Sequence, residues 1–297
     1  MDECNRGYIM FWQLIKSLVQ LLPDRLYIQA KYFYHFKRFA NLRNPQTYNE
    51  KLQWLKLYNR KPEYVNMVDK YEAKKIVASI IGPEYVVPAY GIWNSFEEIN
   101  FDELPSQFVL KTTHDCGGIV VCKDKSKFDK IAARDFLESH LKRNYYAEGR
   151  EWPYKNVKPR ILAEKFMEDD ETQELRDYKF FTFNGKVKML FIASDRQSEK
   201  EQTKFDFFDE NFNHLDLSNG HPNRDCDIKK PVSFDLMKNL AEKLSRGIPH
   251  VRVDFYEVNG KVYFGELTFF HWSGFVPFQP TKWDDVFGGY IALPKQS

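Results

Sequence analysis

The sequence HVRVDFYEVNGKVYFGELT, at residues 250–268, predicts two β-strands joined by a turn at Asn259-Gly260, because Asn-Gly is a strong signal for a tight hairpin. Apolar and charged residues alternate along the first strand, so Arg252 and Asp254 share one face. The second strand carries a further carboxylate, Glu266. The register of the hairpin therefore decides whether the two carboxylates lie on the same face of the sheet.

The length of the connecting loop sets that register. A two-residue turn places Glu266 opposite Val253, on the face away from Asp254. A three-residue loop places Glu266 across from Arg252 and beside Asp254. The charged face is then either a solvated surface with a cross-strand salt bridge or a site for a metal and a phosphate. For the carboxylates to meet, the hairpin needs an odd loop or a compensating β-bulge.

Composition excludes several other classes. The 297 residues include 44 basic and 42 acidic side chains, a net charge of +2, so no overall positive field favours nucleic acid. The four cysteines form no CxxC pair, which argues against a zinc site or a disulfide framework and predicts a reducing, cytoplasmic compartment. No run of eighteen uncharged apolar residues is present, so the sequence predicts no membrane span.

The N-terminal part predicts helices. Residues 8–22 are apolar but interrupted by polar side chains, and they predict either an amphipathic helix on a membrane surface or a helix packed on its own domain. The aromatic and basic residues 24–42 predict a helix with one side in the core. A capping box at residues 47–50 opens a helix that runs to Leu57. A second helix, predicted to open at Asp69, would place Lys70 in its first turn.

The remaining segments alternate between strands and a few helices. Strands are predicted at 108–111 and 119–122 around a glycine-containing loop, at 160–166, at 178–183 and 186–192 around Asn184-Gly185, and at 204–208, with helices at 126–143 and 231–247. Because helices come first and antiparallel strands follow, the order predicts an α+β fold with two mixed layers.

Five segments follow one another along the chain: NPQTYNEKLQW at 44–54, VDKY at 68–71, FVLK at 108–111, AEKF at 163–166 and FGELT at 264–268. In this order they resemble the ATP-grasp superfamily, and among its members the TupA-like branch associated with bacterial surface polysaccharide synthesis. The resemblance covers nearly the whole chain from about Asp24 onward. It implies a helical N-terminal segment at residues 1–65 and two α+β lobes that sandwich ATP, at 66–167 and 168–297.

The resemblance also implies roles for individual residues toward ATP. Two lysines would bind its phosphates, a loop would close over the terminal phosphates, a hinge would hold adenine, and an acidic residue would hold the ribose. In that order the residues are Lys70 and Lys111; His114, Gly117 and Gly118; Glu164, Lys165 and Phe166; and Asp177.

Asp254 and Glu266 match the carboxylates that carry Mg²⁺, a hard cation that takes one or two carboxylates together with substrate phosphates. Thr268 stands where many members have an asparagine, and its neutral hydroxyl is a weaker third ligand. Arg252, beside these residues, is the first candidate for stabilising a transferring phosphoryl group. Arg196 and Lys179 are further candidates for contacts with phosphate or with a substrate carboxylate.

The implied chemistry is that of a carboxylate–amine ligase. A carboxylate attacks the γ-phosphate of ATP, and an amine then displaces phosphate from the acyl phosphate to give an amide. The implied partners are an amine or amino acid and a saccharide acceptor. If residues 8–22 form an amphipathic surface helix, they would contact the inner face of the membrane. The alternatives are a phosphotransferase on the same fold, a glycosyltransferase, and a binding module without catalysis. The Asp225-Cys-Asp227 string is the D-x-D sequence that a glycosyltransferase would use, and it lies in a polar loop.

Overall fold

The computed structural model describes residues 20–170, 175–194, 202–224 and 228–295. Arg196, Asp225, Asp227 and most of the apolar segment 8–22 lie outside these ranges. In the described part of the chain, no helix is both long enough and apolar enough to cross a membrane.

The described N-terminal residues from Gln20 onward fold into four helices, and the sequence predicts all of them except the third. The capping box of the second is present, with the Thr47 hydroxyl accepting from the Glu50 backbone N–H at 3.3 Å and the Glu50 carboxylate accepting from the Thr47 N–H at 3.4 Å. The first helix buries one side, including Ile28 and Tyr32. The helices are α1 (Asp24–Phe36), α2 (Tyr48–Tyr58), α3 (Glu63–Val68) and α4 (Glu72–Ile81).

The start of α4 differs from the prediction. The helix begins at Glu72 rather than Asp69, and the Asp69 carboxylate accepts from the backbone N–H groups of Tyr71 at 2.8 Å and Glu72 at 3.1 Å. Lys70 therefore precedes the helix instead of lying in its first turn. Its own N–H donates to Thr113 O at 3.1 Å, a tertiary contact that holds this residue outside the helix.

A four-stranded antiparallel sheet forms the smaller layer, in the order β1-β4-β2-β3. One of its faces packs through Phe108, Leu110 and Ala163 against Leu137 of a helix. Its other face carries Lys111 and Glu164, because these alternate with the buried residues. The elements are β1 (Ala89–Trp93), β2 (Phe108–Thr112), β3 (Ile119–Cys122), β4 (Ile161–Lys165), and the helices α5 (Lys130–Leu141) and α6 (Tyr145–Gly149).

A five-stranded antiparallel sheet forms the larger layer, in the order β7-β6-β5-β8-β9. A helix covers one face, where the rings of Phe180 and Phe234 lie 5.8 Å apart. The last helix instead packs on α2, where the Asn49 side chain donates to Asp284 Oδ1 at 2.9 Å. The elements are β5 (Asp177–Phe183), β6 (Lys186–Ser194), β7 (Lys204–Asp209), β8 (His250–Val258), β9 (Lys261–Thr268), α7 (Phe234–Leu244) and α8 (Lys282–Tyr290). The predicted α+β class is confirmed.

The β8–β9 hairpin resolves the question of register. Its turn has two residues, Asn259 and Gly260, both with positive φ (50° and 73°), and Phe255 pairs with Phe264 as a regular ladder requires. A β-bulge then shifts the ladder, so Asp254 pairs with Glu266. Both predicted partners of Glu266, Val253 and Arg252, are therefore wrong. The condition of an odd loop or a compensating bulge is met by the bulge.

The extra residue of the bulge is Gly265, and its lack of a side chain fits its surroundings. A Cβ atom there would lie 3.1 Å from Asp254 O and 3.2 Å from the Tyr256 ring. Glycine thus allows β9 to bend close to β8, which is a common use of glycine at bulges. The bulge brings the two carboxylates to the same face of the sheet.

Candidate active site

A cavity of about 190 Å³ lies between the two sheets. Lys111 and Glu164 belong to its small-sheet wall, and Tyr256 belongs to the large sheet. Lys165, the last residue of β4, and Phe166, which follows it, line the cavity as well. Apolar side chains complete the cavity, so it suits a flat ring with a few polar contacts. Those side chains are Val87, Val109, Ile119, Val121, Met167 and Leu175.

Glu164 lies between two lysines at one end of this cavity. Its Oε2 is 2.6 Å from Lys111 Nζ and its Oε1 is 2.7 Å from Lys74 Nζ. Burial alone would raise the pKa of Glu164, but the two ammonium groups outweigh burial and lower it to about 2. Lys74 was not predicted from the sequence. It projects from α4, whose buried face gave no signal that a charged residue belonged to it.

The loop at residues 112–118 is ordered by its own polar groups. Asp115 is buried, and its carboxylate accepts from the Thr112 hydroxyl and lies 2.5 Å from His140 Nδ1 on α5. Gly117 has a φ of +88°, a conformation that favours glycine. At Gly118 a Cβ atom would clash with the Thr112 hydroxyl and lie 3.0 Å from Asp115 Oδ1. The two glycines therefore let the loop close tightly.

His114 lies inside this loop. Its side chain is buried, with Nε2 3.2 Å from Arg143 O, and burial lowers its pKa. In this arrangement His114 connects the loop to the end of α5, so its observed contact orders the loop. A contact with a phosphate stays a prediction.

Lys70 reaches the same loop from the other side. Its Nζ donates to Thr112 O at 3.0 Å and also to Asp115 O. The charge of Lys70 also lowers the pKa of Glu266 on the large sheet. Lys70 therefore contacts the loop and is near enough to Glu266 for its charge to act on that carboxylate.

Arg252 is at the centre of the large-sheet cluster. Its Nε donates to Asp254 Oδ1 at 2.7 Å and its Nη2 to Asp254 Oδ2 at 2.8 Å. Nη2 also lies 3.1 Å from Glu266 Oε1 and 3.0 Å from Thr268 Oγ1. Lys179 Nζ adds a second cation to Asp254. These five groups share one face of the sheet and point toward the cavity side.

The charge states of this cluster follow from its contacts. Burial would raise the pKa of Glu266, but Lys179, Arg252 and Lys70 lower it to about 2. Its side chain is nevertheless 44% exposed, whereas Asp254 is fully buried. The exposed carboxylate of Glu266 is thus ionised and reachable from the cleft.

The donor set fits one metal ion of the Mg²⁺ type. In the described part of the chain no group of three or more His, Cys, Asp or Glu side chains could hold a metal. Mg²⁺ usually takes one or two carboxylates and completes its shell with water and substrate phosphates, and the paired Asp254 and Glu266 supply two. Thr268 donates to Glu266 Oε1 at 3.1 Å, so its hydroxyl is next to the pair. Arg252 now bonds both carboxylates, and metal binding would require these bonds to exchange.

Asp177 lies at the start of β5 on the same face as Lys179, and it is 1% exposed. Lys179 Nζ is 3.3 Å from Asp177 Oδ2. Asp177 pairs across the sheet with Tyr256, which lines the cavity. The residue predicted to hold a ribose is therefore between the cavity and the carboxylate cluster.

The turn after β9 was missed by sequence reasoning. Residues His271–Gly274 form a short turn in which Trp272 and Ser273 have positive φ of 49° and 52°. Non-glycine residues rarely adopt this conformation, and clusters of such strain are typical of functional sites. No pattern in the sequence marks the turn, because neither residue type is expected at positive φ.

Side chains of helix α2 donate hydrogen bonds to the carbonyl groups of this turn. Gln53 Nε2 donates to Ser273 O at 3.0 Å and to Gly274 O at 2.7 Å. The buried Lys56 Nζ donates to Ser273 O at 2.6 Å and to Gly149 O at 2.7 Å. Gln53 belongs to the NPQTYNEKLQW segment, and Lys56 lies two residues after its end. Through Gln53 the segment provides hydrogen-bond donors to the carbonyl groups of the strained turn.

The two antiparallel sheets, the cavity between them and the facing lysine and carboxylate groups define an ATP-grasp fold. A family model described as TupA-like ATPgrasp matches residues 50–292. The chain therefore belongs to the TupA-like ATP-grasp family, as the sequence resemblance predicts. A comparison with curated proteins gave no match.

Solved structures with a similar fold are distant in sequence. The ATP-grasp ligase PsnB complexed with a minimal precursor is 12% identical, with a TM-score of 0.40 over 71% of this chain and 55% of that chain. The D-alanine–D-alanine ligase from Bacillus anthracis complexed with ATP is 18% identical, with a TM-score of 0.39 over 68% and 54%. The corresponding ligase from Helicobacter pylori is 16% identical, with a TM-score of 0.39 over 76% and 61%. The chain thus spans a little over half the length of these proteins.

Proposed function

We propose that the protein is an ATP-dependent carboxylate–amine ligase that attaches an amine or amino acid to a uronate or another acidic sugar of a bacterial surface polysaccharide. The observation that carries the proposal is the cluster of Arg252, Lys179 and the paired carboxylates Asp254 and Glu266 on one face of the large sheet. This face borders a cavity whose opposite wall carries Lys111. Cations and a metal-type carboxylate pair on two sides of one cleft suit a nucleoside triphosphate.

In this proposal ATP is a substrate that enters with its adenine in the 190 Å³ cavity. Apolar side chains enclose the ring, and the backbone of Lys165 and Phe166 provides hydrogen bonds at its edge. Asp177 reaches the ribose, and Lys70 and Lys111 neutralise the phosphates. Lys111 would exchange part of its ion pair with Glu164 for phosphate oxygens, while Lys74 keeps the Glu164 charge compensated.

Asp254 and Glu266 would hold Mg²⁺, with the Thr268 hydroxyl beside them. The bound cation supplies charge neutralisation and orientation of the phosphate oxygens. Because Asp254 is buried and Glu266 is partly exposed, Asp254 fixes the ion to the sheet and Glu266 faces the substrate.

Arg252 and Lys179 would stabilise the phosphoryl group during transfer. The attacking group is a substrate carboxylate, and its product is an acyl phosphate with ADP as leaving group. An amine then forms the amide bond and releases phosphate. The protein contributes position and fixed charge in both steps, so no covalent enzyme intermediate is required.

The saccharide substrate and the cellular location belong to the same proposal. Support for the saccharide comes from the association of the TupA-like branch with surface polysaccharides. The place of action would be the cytoplasm, at the inner face of the membrane, where the amphipathic residues 8–22 would reach lipid-linked intermediates.

The test is a product assay with the full chain. The protein is incubated with Mg·ATP, a mixture of amino acids and either glucuronate or galacturonate oligosaccharides, and products are identified by mass spectrometry. An amide together with ADP and phosphate supports the proposal. ADP with a stable phosphorylated sugar would instead identify a phosphotransferase, and the absence of Mg·ATP binding in calorimetry would end the enzyme hypothesis.

A further inference from the structure

His271 contacts Arg252 on the side away from the carboxylates. Arg252 Nη1 donates to His271 Nδ1 at 2.8 Å, so Nδ1 is the acceptor and the imidazole proton is on Nε2. Nε2 in turn donates to Asn219 Oδ1 at 2.9 Å. Burial and the nearby charge of Arg252 lower the pKa of His271, which agrees with a neutral imidazole. The three side chains form a directed hydrogen-bond chain.

Asn219 fixes the far end of this chain. Its Nδ2 donates to Val276 O at 3.1 Å and to Pro277 O at 3.0 Å. Its neighbour Ser218 exchanges two backbone hydrogen bonds with Gln279, at 2.8 and 2.9 Å. Arg252, His271 and Asn219 are respectively 7%, 3% and 2% exposed. The chain is therefore buried and attached to backbone at its base.

Among the described residues, the other hydrogen-bond partners of the Arg252 guanidinium are Asp254, Glu266 and Thr268. The proposed function assigns all three to the metal. When the metal takes these oxygens, the bonds from Nε and Nη2 must exchange, whereas Nη1 keeps its acceptor on His271. Nε and Nη2 then become available to phosphate oxygens without loss of the anchor.

We infer that His271, oriented by Asn219, is a positioning residue that keeps Arg252 in place for phosphoryl transfer once the metal occupies the carboxylates. This inference rests on the proposed function and adds two residues to its site. His271 does not touch the reacting atoms; it acts through Arg252. Partners that orient an active-site group in this way typically contribute 10–100-fold to activity or affinity.

Two variants of His271 separate this role from a structural one. His271→Asn keeps an acceptor oxygen close to the position of Nδ1, whereas His271→Leu keeps volume and removes the acceptor. The first readout is calorimetric binding of Mg·ATP and of Mg·ADP with aluminium fluoride, which mimics a transferring phosphoryl group. The second is ATP turnover with the substrates found in the product assay.

For His271→Leu we expect Mg·ATP affinity within about threefold of the wild type and a loss of roughly 10–100-fold in binding of the aluminium fluoride complex and in kcat. His271→Asn should recover most of both losses. The matched control is His250→Leu. His250 is equally buried but bonds Tyr48 and Thr182 O instead of Arg252, so its loss should reduce stability and leave the ratio of the two affinities unchanged.

Equal weakening of both complexes in His271→Leu, or no recovery in His271→Asn, would overturn the inference. If His271→Leu does not fold, Asn219→Ala replaces it, and a selective loss of the aluminium fluoride complex supports the inference while an unselective one overturns it. A wild-type protein that binds no Mg·ATP overturns the proposed function together with this inference. Mg·ATP binding without the selective loss overturns the inference alone.

Discussion

Asp254 and Glu266 lie directly opposite each other on neighbouring strands although the hairpin turn between them has two residues. The bulge at Gly265 produces this pairing, and it makes the two carboxylates a single site. The positive charge of Arg252, which donates hydrogen bonds to both carboxylates, offsets the repulsion between them.

We predict that Asp254→Asn lowers the affinity for Mg·ATP by at least about tenfold, since loss of one charged metal contact typically costs more than about 1.4 kcal/mol. Calorimetry with and without EDTA measures the effect. The control is Asp135→Asn, an exposed carboxylate that contacts Arg134 on the surface, and it should behave like the wild type. If Asp254→Asn bound Mg·ATP as tightly as the wild type, the assignment of the metal to this carboxylate pair would be wrong.

Glu164 predicts a defined dependence of stability on pH. Its pKa is about 2 in the folded chain against an ordinary value of 4.5, so its contribution is complete above the ordinary value and is lost as pH falls toward 2. By linkage this amounts to roughly 3 kcal/mol. Urea unfolding between pH 7 and pH 2 should show Glu164→Gln less stable at neutral pH. The difference in unfolding free energy between Glu164→Gln and the wild type should narrow toward pH 2.

The matched control for Glu164 is Glu97→Gln, an exposed residue of the short turn Phe96–Glu98. Its unfolding free energy should follow the wild-type pH profile. A constant difference between Glu164→Gln and the wild type across the whole pH range would contradict the assignment of the ion pairs with Lys74 and Lys111.

Gly118→Ala should disturb the loop at residues 112–118. The added Cβ meets the Thr112 hydroxyl and two further polar atoms of the loop network, so the loop must open. We expect Mg·ATP affinity to fall roughly tenfold, on the scale of 1–3 kcal/mol for an overpacked site. Gly289→Ala, where a Cβ has open space, is the control. If the Mg·ATP affinity were unchanged in both variants, the loop would not contribute to binding the phosphates.

The membrane proposal makes its own prediction. The full chain should co-sediment with vesicles of phosphatidylglycerol and phosphatidylethanolamine, and a chain starting at Gln20 should not, because most of the amphipathic segment is removed. Starting at Gln20 preserves the contacts of Arg150 with Gln20 O and Leu22 O. Equal sedimentation of the two chains would show that residues 1–19 do not bring the protein to lipid.

The sequence predicted strands well where short-range patterns specify them. Both Asn-Gly hairpins, at 184–185 and 259–260, occur where predicted, because φ > 0 at a tight turn depends on local residue types. The shared face of Arg252 and Asp254 on β8 was also predicted from alternation. The register of Glu266 could not be read in this way, since the bulge depends on the approach of β9 to Asp254 O and Tyr256.

The sequence also did not predict the contacts between segments that are far apart in the chain. No pattern in the sequence indicated Lys74, because its ion pair with Glu164 joins a helix to a strand 90 residues further along the chain. Lys70 was expected in a helix, but a hydrogen bond to Thr113 takes it out. His271 and Asn219 are 52 residues apart, and neither belongs to a recognisable motif. Each case depends on tertiary packing, which single-sequence patterns do not contain.

The attachment of the 271–274 turn to α2 has a consequence for how such proteins diversify. Gln53 and Lys56 come from a segment that precedes both sheets, yet they support backbone that adjoins Arg252 through His271. If residues 66–297 were joined to an α2 without Gln53 and Lys56, the carbonyl groups of Ser273 and Gly274 would lose these donors. We therefore expect α2 and the 271–274 turn to be inherited together, so chimeras should be joined upstream of Asn44 rather than between residues 65 and 66.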